Sequence, residues 1–281
     1  MIKLTAANKV WFITGCSTGF GYEMADFAIK AGYNVVVTAR NKDTLKGFEE
    51  GNETSVLALE LDVTKPEQIK AAVQHAIDKF GTIDVLVNNA GIGYFSAVED
   101  SVEEETRKMF EINFWGLMNM TNAVLPTMRG QKSGHIINFS SIGGLASFPS
   151  LGYYHATKYA VEGISESLSQ ELAPFHIHVT LIEPSSFRTD WSGRSSVKTE
   201  PSIPEYKQVM GAILEGVGKG NEAGDPKKAA EAVITVVESE QPPLRLLLGN
   251  AAYQVASYKL TNLLKSIEEW KETTINADFP Q

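Results

Sequence analysis

The chain has 281 residues, of which 43% are hydrophobic, and this is enough to form a substantial core. Its formal net charge of -9 excludes the clustered positive charge that a nucleic-acid-binding surface needs. The single cysteine, Cys16, excludes an internal disulfide and a Cys-based zinc site, and it suits a reducing compartment, so we expect a cytoplasmic protein. The chain shows no signal-peptide pattern and no run of about 18 apolar residues, so we expect no membrane span. His176 and His178 share one face of a predicted strand without a third ligand nearby, so we expect no metal site.

Strand-like and helix-like patterns alternate along the chain. Apolar, β-branched runs predict strands at Lys9–Thr14, Asn34–Arg40, Ser55–Val63, Thr82–Gly91, Gly134–Ser141, Ile177–Pro184 and Leu244–Gly249. Helical patterns lie between them at Phe20–Ala31, Pro66–Phe80, Val102–Glu111, Phe114–Met128, Gly152–Leu172 and Pro226–Glu238. Continuous apolar strands are typical of a parallel sheet that is buried on both faces. The sequence therefore predicts one doubly wound α/β domain over residues 1–281, with about seven strands and helices on both faces.

A glycine-rich turn, TGCSTGFG at Thr14–Gly21, lies between the first strand and the first helix. Glycines allow positive φ angles and close backbone approach, and the first turn of a helix attracts phosphate. No Lys-Ser/Thr pair follows, so the turn is not a P-loop. It is either a simple tight turn or a dinucleotide-binding loop, and its position between a strand and a helix favours the second interpretation.

Tyr154 and Lys158 lie four residues apart on a predicted helix, and therefore on one face of it. A nearby ammonium stabilises a phenolate and lowers the tyrosine pKa, which makes the pair a plausible acid/base for alcohol–ketone chemistry. The alternative is an exposed helix pair. Ser141, at the end of the fifth strand, favours the catalytic interpretation over that alternative. Tyr153 has no lysine four residues on, and Ser140 is the competing serine.

Five motifs in chain order carry a resemblance to a known family. The chain resembles the compact, single-domain short-chain dehydrogenase/reductases from Lys9 to Leu248. The matching residues are TGCSTGFG (Thr14–Gly21), NNAG (Asn88–Gly91), Asn113, Ser141 and YHATK (Tyr154–Lys158). The resemblance implies a Rossmann-type fold and hydride transfer between a nicotinamide cofactor and a carbonyl or alcohol group.

The resemblance also implies four catalytic residues. Tyr154 would protonate the carbonyl oxygen during reduction, and Ser141 would hold that oxygen by a hydrogen bond. Lys158 would bind the nicotinamide ribose and lower the tyrosine pKa. Asn113 would hold a water that passes protons to the lysine. Ser141 is preferred to Ser140 because the 13-residue offset from Tyr154 is the usual one in the family.

The resemblance further implies a set of cofactor contacts. Besides Tyr154 and Lys158, these are Gly15, Ser17, Thr18, Gly19, Phe20, Gly21, Arg40, Asp62, Val63, Asn89, Ala90, Gly91, Pro184, Ser185 and Thr189. Asp62 would contact the adenine amino group and Thr189 the carboxamide. Ser185 stands where relatives usually have glycine.

Cofactor choice depends on the end of the second strand. NAD-selective sites usually have an acidic residue there, whereas this chain has Ala39 followed by Arg40. A guanidinium suits the 2′-phosphate of NADP(H), so NADP(H) is preferred and NAD(H) remains possible. The alternative is an exposed arginine that caps the turn.

The segment 185–225 resembles the substrate lid of the family. Its larger apolar side chains are Phe187, Trp191, Ile203, Tyr206, Met210, Ile213 and Leu214. Phe95 and Phe148 follow neighbouring strands and either line the pocket or pack in the core. Together these residues favour a hydrophobic ketone or alcohol as the small-molecule substrate.

Two other classes of protein use the same scaffold. One is a regulatory protein that senses NADP(H) without turnover, and such proteins usually lose the tyrosine or the lysine. The other is an isomerase or dehydratase, which consumes no net cofactor. This chain keeps both Tyr154 and Lys158, so the oxidoreductase is the favoured interpretation.

The residues 251–281 predict a helical extension. Its apolar stripe comprises Leu260, Leu263, Leu264, Ile267 and Trp270. We expect this stripe to dock on the same domain or on a sister subunit of a homodimer or homotetramer. Glu268 and Glu269 on the polar face disfavour a membrane-surface helix.

Overall fold

The structure is a computed structural model that describes residues 9–216 and 219–279. Its strands, in chain order, are β1 (Val10–Ile13), β2 (Asn34–Ala39), β3 (Val56–Glu60), β4 (Val85–Asn88), β5 (Gly93–Phe95), β6 (Gly134–Phe139), β7 (Ile177–Pro184), β8 (Ser196–Lys198) and β9 (Arg245–Leu248). Seven of them form one parallel sheet in the order β3-β2-β1-β4-β6-β7-β9. The strand order reverses between β1 and β4, as in a Rossmann-type sheet. The predicted doubly wound fold is therefore confirmed.

Helices cover both faces of this sheet. They are α1 (Gly19–Lys30), α2 (Lys46–Glu49), α3 (Pro66–Phe80), α4 (Glu103–Phe110), α5 (Leu117–Gln131), α6 (Gly152–Leu172), α7 (Pro204–Gly216), α8 (Pro226–Val237), α9 (Asn250–Glu269) and α10 (Lys271–Ile275). A π-helical turn at Glu111–Gly116 joins α4 to α5. No helix in the described ranges is long and apolar enough to cross a membrane.

The core lies on both sides of the sheet, and β1 shows why its sequence does not alternate. Trp11 and Ile13 face the layer of α1 and α8, whereas Val10 and Phe12 face the layer of α3, α5 and α6. All four side chains are buried. A strand with helices on both faces needs apolar residues at every position, which explains the continuous apolar run.

A buried polar network crosses the middle of the sheet. Asn88 Nδ2 on β4 donates hydrogen bonds to Asn138 Oδ1 on β6 at 2.9 Å and to Thr121 Oγ1 on α5 at 3.0 Å. Asn138 Nδ2 in turn donates to Ser165 Oγ on α6 at 2.9 Å. Because buried amides are stable only when they are hydrogen-bonded, this network fixes the register of the two central strands against two helices.

The segment after β7, expected to be irregular, contains regular structure. It includes β8 and α7, and β8 pairs in parallel with β5, with Gly93 opposite Ser196. The Tyr94 hydroxyl also lies 2.8 Å from Thr199 Oγ1. Sequence patterns missed these strands because each has three residues and is stable only through pairing across about 100 residues of chain.

The C-terminal helix does not dock its apolar stripe on the same domain, which was one of the two expectations. Ala252 and Ala256 at the start of α9 are buried against Ile142 and neighbouring apolar residues. Every residue from Ser257 to Phe279 is exposed. Docking of the apolar stripe on the same domain is therefore wrong for this structure, because the helix leaves the domain surface after two turns.

Candidate functional site

A cavity of about 840 Å³ opens at the carboxyl ends of the sheet strands, where their order reverses. Of the residues predicted from the sequence, those that line it are Gly15, Ser17, Thr18, Gly19, Phe20, Arg40, Asp62, Val63, Asn89, Ala90, Gly91, Ser141, Tyr154, Lys158, Pro184, Ser185 and Thr189. Gly21 and Asn113 lie behind its wall. The structure thus brings to one cavity residues that are spread over about 175 positions of the sequence.

The glycine turn between β1 and α1 shapes one end of the cavity. Gly15 and Gly19 have φ angles of 74° and 60°, which residues with a side chain rarely adopt. Gly21 is needed for a different reason, because a Cβ there would collide with the carbonyl oxygen of Gly15 and the amide of Asn89.

Gly19 and Phe20 in the first turn of α1 line the cavity, and the N–H groups of a first helical turn have no partner within the helix. Thr18 is the N-cap residue, and within the described chain its side chain makes no capping hydrogen bond. The first turn carries no acidic residue. The free N–H groups and the helix dipole of such a turn favour an anion, so these residues fit the diphosphate of a dinucleotide.

Asn89 ties the glycine turn to the end of β4. Its Nδ2 donates to the carbonyl oxygens of Thr14 at 2.9 Å and Gly15 at 3.1 Å. Thr14 Oγ1 accepts hydrogen bonds from the backbone N–H groups of Asn89 and Ala90, both at 3.0 Å. The side-chain amide of Asn89 therefore holds the loop, and its contribution to the cavity wall is secondary to that task.

Residues at the carboxyl ends of β2 and β3 line the far end of the cavity. Ala39 is buried at the end of β2, and Arg40 next to it is exposed. The Arg40 side chain makes no hydrogen bond or ion pair to other residues in the described ranges, so its charge is available at the cavity mouth. Asp62 accepts hydrogen bonds from Thr64 N at 2.9 Å and Thr64 Oγ1 at 2.7 Å, which fixes the carboxylate at the end of β3.

Ser141, Tyr154 and Lys158 converge at the other end. Ser141 Oγ accepts a hydrogen bond from Gly143 N at 3.0 Å and is hydrogen-bonded to the Tyr154 side chain. Lys158 Nζ lies 5.7 Å from the centre of the Tyr154 ring and donates to the Phe139 carbonyl oxygen at 2.6 Å. Tyr154 and Lys158 both lie on α6, as their helical pattern predicted, and both are buried.

Burial controls the proton affinity of this pair. It raises the pKa of Tyr154 to about 12, and the hydrogen bond from Ser141 opposes that change. It lowers the pKa of Lys158 to about 8, and the nearby Glu162 carboxylate opposes that change. The lowered tyrosine pKa expected from the sequence is not found in the protein alone, because desolvation by burial outweighs the hydrogen bond from Ser141. The phenol is therefore protonated at neutral pH.

Asn113 lies in the π-helical turn behind the pair. Its Oδ1 accepts from Ile92 N at 2.9 Å, and its Nδ2 donates to Ile92 O at 2.9 Å and to Thr157 Oγ1 at 3.2 Å. The side-chain amide thus joins α6 to the loop after β4. Such π turns occur often at functional sites, but the sequence around Asn113 is indistinguishable from an ordinary helix.

His155 is a site residue that the sequence reasoning missed. Its Nδ1 lies 3.0 Å from the Gly143 carbonyl oxygen, and its Nε2 accepts from Phe148 N at 3.0 Å. Because an amide N–H only donates and a carbonyl only accepts, the ring is neutral with its proton on Nδ1. No signal marks this histidine in the sequence except its position next to Tyr154.

A buried ionic cluster lies behind Lys158 and was also missed. Glu162 on α6 and Glu183 on β7 lie 2.9 Å and 3.5 Å from Arg245 Nε on β9. Burial and the neighbouring Glu162 raise the pKa of Glu183, and Arg245 opposes the change. No local pattern groups these residues, because they are distant along the chain and meet only across the sheet.

Aromatic side chains form the apolar wall beside Tyr154. The Trp191 ring lies 4.8 Å from that of Tyr154 and 5.6 Å from that of Phe95, measured between centroids. Phe148 also lines the cavity and is partly exposed. Among the lid side chains named from the sequence, Phe187, Trp191 and Ile213 line the cavity, whereas Ile203, Tyr206, Met210 and Leu214 do not.

The chain matches one family model and is similar to several curated proteins. The sequence model of the short chain dehydrogenase family matches residues 9–200. The chain is 40% identical to Oxidoreductase BOA17 of Botryotinia fuckeliana over 95% of this chain and 98% of that protein. It is 37% identical to the 3-ketodihydrosphingosine reductase of Bacteroides thetaiotaomicron over 86% of this chain and 88% of the relative.

Several solved structures are similar to this chain in fold and sequence. A short-chain dehydrogenase from Streptomyces avermitilis superposes with a TM-score of 0.90, at 37% identity, over 97% of this chain and 99% of that one. An alcohol dehydrogenase from Thermococcus sibiricus, complexed with 5-hydroxy-NADP, has a TM-score of 0.71 at 27% identity, over 85% and 95% of the two chains. A 3-ketoacyl-(acyl-carrier-protein) reductase from Brucella melitensis, complexed with NADH, has a TM-score of 0.72 at 28% identity, over 85% and 96%.

The fold, the cavity and these similarities together define an NAD(P)-dependent oxidoreductase. The chain belongs to the short-chain dehydrogenase family, as the sequence motifs indicated.

Proposed function

We propose that this protein is an NADP(H)-dependent carbonyl reductase, or secondary alcohol dehydrogenase, for a hydrophobic ketone or alcohol. The observation that carries the proposal is the meeting of Ser141, Tyr154 and Lys158 in one cavity with the uncapped start of α1. That arrangement sets a protonated phenol at one end of the space and an anion-binding helix terminus at the other.

The proposed chemistry divides between the cofactor and the chain. A bound reduced nicotinamide supplies a hydride to the carbonyl carbon. Tyr154 donates its phenolic proton to the carbonyl oxygen, and the raised pKa keeps that proton in place until the oxygen becomes basic. Ser141 Oγ accepts from Gly143 N, and its proton, which bonds the Tyr154 oxygen in the protein alone, turns to the same carbonyl oxygen when a substrate is bound.

Lys158 and Asn113 complete the proposed set. Lys158 binds the nicotinamide ribose through its ammonium and supports the tyrosine electrostatically. The side-chain amide of Asn113 already makes three hydrogen bonds, so a water that passes protons to Lys158 contacts the backbone carbonyl of Asn113 instead.

The proposed preference for NADP(H) depends on Arg40. Its guanidinium stands exposed at the cavity mouth, and Ala39 leaves no carboxylate there to repel a 2′-phosphate. The remaining cofactor contacts are proposed as the sequence analysis gives them, with Gly21 and Asn89 shaping the loop rather than touching the ligand. NAD(H) is a weaker alternative cofactor.

The proposed substrate follows from the cavity wall. Trp191, Phe95 and Phe148 present aromatic surface next to Tyr154. The relative named 3-ketodihydrosphingosine reductase is consistent with a ketone on an apolar chain. The segment 185–225 is proposed as the lid over this substrate, within one catalytic domain over 1–281.

The cellular setting is part of the same proposal. The protein is proposed to act in the cytoplasm as a homodimer or homotetramer. The support for this setting is that the sequence has a single cysteine, as suits a reducing compartment. Cys16 itself is buried, and burial raises the pKa of its thiol to about 12, so it is unreactive.

The rival functions are a sensor that binds NADP(H) without turnover and an isomerase or dehydratase. The experiment is loss of reduced-nicotinamide absorbance with a panel of hydrophobic ketones, NADPH beside NADH. We expect turnover that prefers NADPH and is reduced at least about 1,000-fold in Tyr154→Phe. Tyr153→Phe is the matched control and retains activity. Tight NADPH binding without turnover on any ketone would contradict the reductase and favour the sensor or isomerase.

A further inference from the structure

The C-terminal helix carries apolar surface that the oxidoreductase site does not use. After Ala256 the helix leaves the domain, and every residue from Ser257 to Phe279 is exposed. The exposed apolar side chains on one side of it are Leu260, Leu263, Leu264, Ile267 and Trp270, at 48% to 64% exposure. A helix that is amphipathic yet left uncovered by residues 9–216 and 219–279 points to a separate partner.

The spacing of the stripe indicates the kind of partner. Ala256, Leu260, Leu263, Ile267 and Trp270 follow one another at intervals of four, three, four and three residues. Apolar residues with a mean period of 3.5 residues form the contact seam of a two-helix coiled coil. The partner in such a coiled coil is another helix with the same pattern. This seam is narrower than the broad apolar face of a helix that lies on a membrane.

The charges on the extension also favour a helical partner over a membrane surface. Residues 250–279 contain three lysines and four acidic residues, so the segment has no excess of positive charge to attract anionic lipid. Lys265 lies 3.8 Å from Glu269, and Lys271 lies 3.3 Å from Glu268, so several of these charges are already paired within the helix.

An antiparallel arrangement of two such helices matches the exposed residues. Centred on Lys265, it sets Leu260 against Trp270 of the second copy and Leu263 against Ile267 of the second copy. All four core residues of this pairing belong to the exposed stripe.

The size of the stripe is sufficient for a stable contact. Its five side chains expose on the order of 500 Å² in each copy, which marks an interaction surface rather than scattered exposure. Stable interfaces bury roughly 800 Å² per partner, of which about 65% is apolar in homodimers. The stripe therefore supplies about the apolar share that a homodimer needs.

We propose that α9 is the docking surface for α9 of a second copy of this chain, paired antiparallel through Leu260, Leu263, Ile267 and Trp270. The cavity is formed within each copy, so this pairing joins two complete sites without sharing residues between them. The inference does not depend on the reaction proposed above.

The first test is the mass of the full chain in solution, measured by sedimentation equilibrium. We expect the Leu263→Glu/Ile267→Glu double variant to have half the mass of the unchanged protein. Thr261→Glu/Asn262→Glu, on the opposite face of the same helix, is the matched control and keeps the full mass. Melting temperature and NADPH binding check that both variants are folded.

The second test measures the direction of pairing. Cys16 is buried, so single cysteines introduced at Leu260→Cys and Trp270→Cys react selectively. In an antiparallel pair a mixture of the two variants forms a disulfide between copies, whereas each variant alone does not. Cross-linking of each variant alone would overturn the antiparallel register.

Three results would overturn the docking proposal. One is a monomeric unchanged protein, and another is a double variant whose mass does not fall. The third is a monomer that co-sediments with vesicles of phosphatidylcholine and phosphatidylglycerol and loses this binding in the double variant, which would assign the stripe to a lipid surface.

Discussion

The imidazole of His155 holds the backbone carbonyl of Gly143 at 3.0 Å, and this contact fixes the turn that carries Ser141. Gly143 N donates to Ser141 Oγ, so the histidine acts on the serine through one glycine. The other ring nitrogen accepts from Phe148 N, which lies on the cavity wall. A single neutral side chain thus sets the position of both a polar and an apolar part of the site.

Replacing His155 tests this positioning role. We expect His155→Phe to lower kcat/KM about tenfold or more, because two buried backbone groups lose their partners at about 1–3 kcal/mol each. His155→Gln can donate and accept in similar places and retains most of the activity. Steady-state kinetics with NADPH and a hydrophobic ketone provide the measurement. Retained activity in His155→Phe together with a loss in His155→Gln would show that ring shape, not hydrogen bonding, is the important property.

We expect cofactor binding to depend on the proton on Lys158. Burial lowers the pKa of this lysine to about 8, so its ammonium is lost as the pH rises above that value. If the ammonium binds the ribose as proposed, the Kd for NADPH at pH 9.5 is about tenfold higher than at pH 7. Fluorescence titration of the binary complex measures this change.

Lys158→Met supplies the control for that titration. It removes the titrating group, so we expect weak NADPH binding with no dependence on pH over the same range. The phosphates of the cofactor are fully ionised above pH 7 and do not add a slope of their own. A pH-independent Kd in the unchanged protein would contradict the assignment of Lys158 to the ribose.

The choice between cofactors is tested at the end of β2. We expect Arg40→Leu to weaken NADPH binding about tenfold to a hundredfold, because a charge-assisted hydrogen bond contributes about 1.5–3 kcal/mol. NADH binding serves as the internal control and stays within about twofold. Adding Ala39→Asp should shift the preference toward NADH. An unchanged ratio of the two kcat/KM values would remove Arg40 as the selector.

Glu183 gives the fold a dependence on pH. Its pKa is raised in the folded state, so the folded chain keeps a proton there that the unfolded chain releases near pH 4.5. The stabilisation is present at low pH and is lost as the pH rises toward 8. We expect Glu183→Gln, which stays neutral, to match the unchanged protein at pH 5 and to melt about 2–4 °C higher at pH 8.

Glu166→Gln is the matched control for that experiment. Glu166 also pairs with Arg245, at 2.7 Å, but its carboxylate is half exposed. An exposed pair contributes about 0–1 kcal/mol, so this variant changes the melting temperature little and equally at both pH values. A Glu183→Gln variant that melts below the unchanged protein at pH 8 would show that the carboxylate is stabilising through Arg245.

The fold was predictable where local signals coincide. The bounds of α3 match the sequence expectation because Pro66 starts the helix and Gly81, in the left-handed region, ends it. The convergence of Ser141 and Tyr154 was also predictable, since parallel strands bring their carboxyl ends to one edge. These features depend on residues close together in sequence or on the general geometry of a parallel sheet.

The rest depended on tertiary contacts that no local pattern encodes. The tyrosine pKa rises because Tyr154 is fully enclosed, and enclosure depth cannot be seen from the spacing of Tyr154 and Lys158. The π turn at Asn113 is stabilised by contacts to Ile92 and Thr157 on other elements. The stripe on α9 was visible in the sequence, but only the structure shows that its own domain does not cover it.

The pairing of β5 with β8 has a consequence for how ligands reach Tyr154. Besides the strand pairing, Asp100 accepts hydrogen bonds from Ser202 Oγ at 2.6 Å and from the Ser202 backbone, and Tyr206 donates to Glu99 at 2.8 Å. These contacts join the segment after β7 to the segment that follows β5. A widening of the cavity on this side would require β5 and β8 to separate and these side-chain contacts to break, which distinguishes this segment from a loop without strand pairing.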